Sequence, residues 1–437
     1  MDYKKILEQG KKEGFSDLEF QISSSTSLSI DVFKGKVDKN QVHSDFSIVL
    51  SGLYKDQLAS VSTTNKDFDP KKLLKKLKEN AKALNKDEKE EIFAGSKEYP
   101  KSIVHKVDFN NVDNKKKVDF LLDLEKKVYD LDKRITLVSN CRYFESTSTQ
   151  EIVNSKGLNL KKELKSCGAY AVAVASDGTS TQTGFGVEVD FNFKGLDKDK
   201  IANKAVERAT RLLGAKPIKS GKYPVIIEKD AFASLLGAFL GIFSGEAAIK
   251  KTTLLLGKEK TKIFDERVNI VEDPLVETSI YYNPFDDEGV ATKKKHLIKD
   301  GVFTGFAHNL KTAKALKQDL TGNGYNKSVD FAYTYLVNGD TSLDDLVKSI
   351  DKGLLITNLQ GLHSGLNPIS GDFSLQSSGF YIEDGKIVKP TSLIVTSGNF
   401  FEMMNDIDKI GNDLELRNES SVNAPSVKFN GLQVSGE

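Results

Sequence analysis

Apolar and polar residues alternate along much of the first half of this chain, and the period switches repeatedly between that of a strand and that of a helix. Tyr3, Ile6 and Leu7 fall on one side of the segment Asp2 to Glu13, ended by Gly14, which predicts a short helix. Alternation follows at Leu18 to Ile22, Leu28 to Phe33, Phe46 to Leu50 and Leu58 to Val61, with turns at Lys34-Gly35 and Ser51-Gly52, so a meander of strands is expected. Asp69-Pro70 supplies an N-cap and a proline in the first turn, and Leu73, Leu74, Leu77, Ala81 and Leu84 make the stripe of a second helix. The charged stretch Asn85 to Glu91 and the polar region out to Tyr99-Pro100 read as a linker.

The same order then returns. Val118, Leu121, Leu122, Leu124, Val128 and Leu131 mark a helix, strands are expected at Ile135 to Val138, Thr149 to Val153 and Tyr170 to Val174, and a helix runs from its N-cap Asp197 to Leu213. Lys36-Val37 to Ser62 and Gly157-Leu158 to Thr181 share a succession that a duplicated half would give, and that a strand meander also gives by chance. A third unit starts near Tyr223 with the strand Val225-Ile226-Ile227 and enters an apolar run from Ala231 to Phe243. That run is too short to span a bilayer and reads as a buried core helix, with Asp230 as N-cap and Ser244-Gly245 as its stop. The predicted fold is α+β: N-terminal helix-plus-strand-meander units over residues 1–100 and 101–221, and a larger C-terminal domain, 222–437, of mixed or antiparallel sheet around the buried helix.

Composition narrows the function classes. Lys+Arg 63 against Asp+Glu 62 leaves a net charge of +1, with the two signs interleaved, so no basic stripe marks a nucleic-acid ligand. Cys141 and Cys167 lie in strand-like contexts and the N-terminus lacks an apolar leader, which points to free buried thiols in a reducing cytoplasm and to no membrane anchor. The five histidines, His43, His105, His296, His308 and His363, show no ligand spacing. Asp286-Asp287-Glu288-Gly289 offers hard-cation ligands but lacks an alternating oxygen loop, so a solvated turn is expected. Lys293-Lys294-Lys295-His296 reads as a charged face, with phosphate binding the minor alternative. Ser244 and Ser364 each precede a glycine, yet neither lies in a Gly-x-Ser-x-Gly elbow, and no glycine-rich nucleotide loop is present.

Several separated motifs in the third unit occur in a specific order. Ser244-Gly245 is followed by Thr252-Thr253-Leu254-Leu255-Leu256-Gly257, Val268 to Pro274 and Pro284-Phe285-Asp286-Asp287-Glu288-Gly289. Thr321-Gly322-Asn323, His363-Ser364-Gly365-Leu366-Asn367-Pro368, Gly371-Asp372-Phe373-Ser374, Gly379 to Gly385 and Gly398-Asn399 come next. This series resembles the TldD/PmbA family, also known as modulators of DNA gyrase, and the resemblance covers nearly the whole chain. TldD-type members resemble zinc peptidases with a His-Glu-x-x-x-His stretch on the buried helix and a Cys near the C-terminus. Aligned through Gly245, the two His slots fall on Leu236 and Gly241 and the Glu slot on Gly237, and Leu414 to Pro425 contains no Cys.

The chain is therefore similar to the PmbA (TldE) branch. The resemblance implies no catalytic or metal residue and no cofactor in this chain, with zinc in a TldD-type partner subunit and a peptide substrate taken up by strand addition. His363, Ser364, Gly365, Asn367, Gly371 and Asp372 are the candidate peptide-site or chamber residues. The alternatives are a self-sufficient hydrolase built on His363, Ser364 and Asp372, and a homodimer that binds peptides without cleaving them.

Overall fold

A computed structural model describes residues 2–84 and 91–437, so the linker expected from Asn85 lies, up to residue 90, outside the described residues. Helix α1 (Tyr3–Lys12), strands β1 (Asp17–Phe33), β2 (Lys36–Tyr54) and β3 (Gln57–Thr63), and helix α2 (Pro70–Ala83) form one αβββα unit. Helix α3 (Asn114–Leu131), strands β4 (Ile135–Asn154), β5 (Asn159–Ser176) and β6 (Thr181–Asp190), and helix α4 (Lys198–Thr210) form a second. β1 pairs antiparallel with β4 from Glu19↔Asn154 to Val32↔Cys141, giving one sheet of order β3-β2-β1-β4-β5-β6. The repeated order and the central pairing favour the duplicated-half reading.

Capping chemistry sets the helix starts. The Asp69 carboxylate accepts from Lys71 N and Lys72 N ahead of α2, and Asp197 accepts from Asp199 N and Lys200 N ahead of α4. On β1, Leu18, Phe20 and Ile22 belong to the core under α1 and α2, while Leu28, Ile30 and Val32 belong to the core under α3 and α4. All six occupy even positions and share one face. Between them Ser23 to Ser27 stay in ladder with β2 and β4, so the two expected strands are one of 17 residues. β4 likewise runs unbroken for 20 residues across its Ser/Thr-rich middle.

The C-terminal half begins with β7 (Gly221–Ile227), α5 (Lys229–Phe239), a 3-10 turn over Leu240–Phe243 and α6 (Gly245–Lys250). It continues through β8 (Ile270–Glu272), β9 (Lys295–Lys299), β10 (Val302–Phe303), α7 (Leu310–Leu316), β11 (Gly324–Tyr325), β12 (Ser328–Val329), β13 (Thr334–Leu336) and α8 (Leu343–Lys348). The last elements are β14 (Lys352–Gln360), β15 (Asp372–Glu383), β16 (Lys386–Asn399), α9 (Phe400–Asn405), β17 (Ile407–Ile410), β18 (Val422–Asn423) and β19 (Val427–Ser435). Strands β16-β15-β14-β7-β19-β17 form one sheet, and a further β16–β19 pairing curls it into a partial barrel. A smaller sheet has the order β10-β9-β8-β13-β18.

Val225, Ile226 and Ile227 are all fully buried because β7 lies between β14 and β19 with both faces covered. Val225 and Ile227 join the core that holds Phe232, Leu235, Leu236 and Phe239 of α5, while Ile226 joins Leu346 and Val347 of α8. The fold is thus α+β, as expected. Two helix limits differ from the sequence reading. Glu228 rather than Asp230 is the N-cap of α5, and Asp230 instead pairs with Arg208 and Arg417. Ser244 does not end the helical segment but caps α6 by accepting from Ala247 N. No helix among the described residues is long and apolar enough to cross a membrane.

Candidate functional site

The three positions aligned with zinc ligands sit at the end of α5 and in the turn beyond it. Leu236 is fully buried in the main core, Gly237 lies beside Val422, and Gly241 is exposed with open space where a Cβ would be. None of these side chains carries a donor atom, and no group of three or more His, Cys, Asp or Glu among the described residues is arranged to hold a metal ion. The residues at these positions do not fit zinc. Cys141 and Cys167 are buried in the N-terminal sheet, with thiols pushed up by burial, that of Cys167 to about 12.

The second candidate set converges on one hairpin loop between β14 and β15. Asn367 Oδ1 accepts from Ile369 N and Ser370 N, Gly371 N donates to Asn367 O, and Gly365 N donates to Gly361 O. Gly371 has φ +85°, and a Cβ there would meet the Phe401 ring at 2.5 Å, so glycine is required. Asp372 is exposed and engaged by Ser370 Oγ at 2.7 Å and Asn399 Nδ2 at 2.9 Å, which hold its carboxyl below the usual range. Ser364 Oγ donates to Gly361 O, and His363 is exposed with no hydrogen bond to either residue among those described. The loop therefore brings Gly365, Asn367, Gly371 and Asp372 together as a turn. It does not assemble His363, Ser364 and Asp372 into a nucleophile, base and acid, and Asn367, not His363, supplies the capping bonds.

The structure adds a polar junction that sequence reasoning placed in solvent. Asp286 is fully buried where the 283–291 loop docks on the N-terminal sheet. Its Oδ1 accepts from Glu288 N and Val290 N and its Oδ2 from Gly324 N. Lys162 of β5 reaches the same loop across the domain boundary: Nζ donates to Asn283 Oδ1 at 2.7 Å and Phe285 O at 2.9 Å, and lies 3.8 Å from Asp287 Oδ1. Gln21 and Gln150 bond Asp287 from the same sheet. Burial dominates all three titrations here. It raises Asp286 to about 6 and Glu288 to about 7 and lowers Lys162 to about 8, in each case against opposing hydrogen bonds or charges.

A strap over residues 91–108 closes this junction. Asn154 Nδ2 donates to Phe93 O, Ala291 N to Ser96 Oγ, and Tyr99 OH to Gly289 O. The available signal was in β5, where Lys162 stands between Leu160 and Leu164 on one face, a poor place for a solvated lysine.

Two αβββα units sharing one sheet, followed by a partial barrel around a buried helix, define a three-part α+β architecture. Residues 18–83, 107–213 and 220–436 match domain 1, the central domain and the C-terminal domain of the PmbA/TldA metallopeptidases. The chain belongs to the PmbA/TldD metallopeptidase family. Among its relatives, a metalloprotease PmbA homolog of Buchnera aphidicola is 29% identical over 96% of this chain and 93% of its own length. Metalloprotease PmbA of Escherichia coli O157:H7 is 24% identical over 99% and 94%. Among solved structures, a proposed modulator of a DNA gyrase from Thermotoga maritima superposes with TM-score 0.92 at 29% identity, covering 99% of this chain and 98% of that one. TldE from Thermococcus kodakarensis gives TM-score 0.88 at 25% identity over 99% and 100%.

Proposed function

We propose that this chain is the zinc-free subunit of a heteromeric PmbA/TldD-type peptidase, whose TldD-type partner brings the metal. The observation that carries the reading is the donor set at α5: a leucine in the core and two glycines stand where two imidazoles and a carboxylate would be needed. Its role is to complete the chamber and hold an extended peptide, by main-chain pairing and with loose sequence selectivity. An open sheet edge supports this, because among the described residues β3 pairs with β2 only over Ile48–Tyr54 and leaves the preceding part of β2 without an outer neighbour. The adjoining sheet surface is lined by hydroxyls of Ser23, Ser25, Ser47 and Ser148 together with Asp45, Lys162 and Leu164. The test is reconstitution. Elemental analysis of the purified chain should find no stoichiometric zinc, and peptide cleavage should require an added TldD-type subunit. Cleavage by this chain alone with one bound zinc would overturn the proposal.

A further inference from the structure

A cleft of about 740 Å³ lies on the small sheet and shares no lining residue with the hairpin loop. At that volume the cleft falls within the range of small-ligand sites. Its walls are α6 and the loop after it, strand β9, residues 304–308 and the end of α7. Leu256, Phe306 and Leu316 give it an apolar part. Lys295, Leu297 and Lys299 of β9, with His296 and with Lys293 just before the strand, line it along one wall. These lysines are not equivalent. Lys295 is half-buried and its charge is met by Glu272, 2.9 Å away, whereas Lys293 and Lys299 are exposed and have no ion pair among the described residues. Lys260 donates to Thr304 O at 2.6 Å. Glu259 and Asp319 also line the cleft, so the cations not matched by an acid in the fold exceed the acids by one.

Backbone is also free along the wall. Thr304 N bonds Leu297 O and Ala307 N bonds Phe243 O, but none of the backbone hydrogen bonds of the described residues uses Gly305 or Phe306. An apolar floor, unmatched ammonium groups and an unpaired stretch of main chain together describe the end of a peptide: a large apolar side chain beside a free carboxylate. We propose that this cleft is a second ligand site, which takes the C-terminal end of a peptide with its apolar last side chain against Leu256, Phe306 and Leu316 and its carboxylate on Lys293 or Lys299. The site needs neither metal nor partner subunit, so it stands or falls separately from the heteromeric reading.

The experiment is fluorescence anisotropy on the isolated full chain with N-terminally labelled glycine pentapeptides ending in Leu as free acid, in Leu as amide, and in Gly as free acid. The Leu acid should bind about tenfold tighter than either control, the scale of one charge-assisted contact or one buried apolar side chain. Lys293→Gln with Lys299→Gln should remove the acid–amide difference and keep the Leu–Gly difference. Leu256→Asp, at a position 46% exposed and tolerant of polarity, should remove the Leu–Gly difference. Equal binding of the three peptides, no binding of any, or preferences that survive both sets of substitutions would each overturn the assignment.

Discussion

Replacing Lys162 by methionine tests the reasoning about the buried junction, because it keeps the length of the side chain and removes only its charge and donors. The loss leaves the Asn283 side-chain oxygen and the Phe285 carbonyl without a donor and strips Asp286 and Asp287 of their nearest cation. Leaving a buried partner unmatched costs about 1–3 kcal/mol for each group. Against this, the ammonium is itself penalised by burial, since its pKa falls to about 8, and removing it returns roughly 3 kcal/mol by the usual conversion. With two unmatched oxygens and the facing acids ionised, destabilisation wins at pH 8 by about 2 kcal/mol.

The sign with pH then decides the matter. Asp286 and Glu288 have folded pKa values raised above their unfolded ones, so their contribution to stability is fully present below about 4 and is lost as pH rises through about 6 and 7. At pH 5 both carry protons in the folded chain, the junction holds less negative charge, and the lysine matters less. Urea unfolding of wild type and Lys162→Met at both pH values is the assay, with tryptic cleavage of the 91–108 strap as a local readout of undocking. The expected result is a substitution penalty at pH 8 that shrinks towards zero at pH 5. A penalty independent of pH, or a variant more stable than wild type at pH 8, refutes the reasoning.

Glu288→Gln keeps an acceptor for Leu310 N and removes the titration, so the wild-type fall in stability between about pH 5 and 7.5 should flatten in the variant, as urea midpoints across that range would show. Gly184→Val should destabilise the N-terminal sheet by about 3 kcal/mol or more, because a Cβ there overlaps the Ala205 carbonyl oxygen and Ala209 N of α4; thermal unfolding followed by circular dichroism checks it. His363→Ala should leave stability and peptide binding unchanged, since the side chain is exposed and joins neither Ser364 nor Asp372; a loss of activity in the isolated chain would restore the hydrolase reading. Gly371→Ala should cost about 2 kcal/mol through its left-handed backbone and the Phe401 contact, measured by the same thermal scan.

What the sequence made legible follows from which forces were local. Helix starts at Asp69 and Asp197 were readable because the capping carboxylate sits next to the N–H groups it binds. The long strands were broken in the reading at Ser23 to Ser27 because alternation reports burial. There the sheet passes from one helix pair to the other, while main-chain pairing on both sides keeps the strand whole. The same limit explains Asp286-Asp287-Glu288. Three adjacent acids look solvated until a strand more than a hundred residues earlier sets Lys162 against them and the strap from residue 91 bonds across the same loop.

The vacated positions on α5 present the converse case. There the sequence names atoms, and Leu236, Gly237 and Gly241 have no donor whatever surrounds them; packing then shows Leu236 absorbed into the core. A missing donor atom can be read without a fold, whereas a present charge needs the fold to say whether water, a partner or a ligand meets it. Lys162 and Lys293 illustrate the difference: both stand in lysine-rich stretches, yet one is buried against the docked 283–291 loop and the other faces an open cleft.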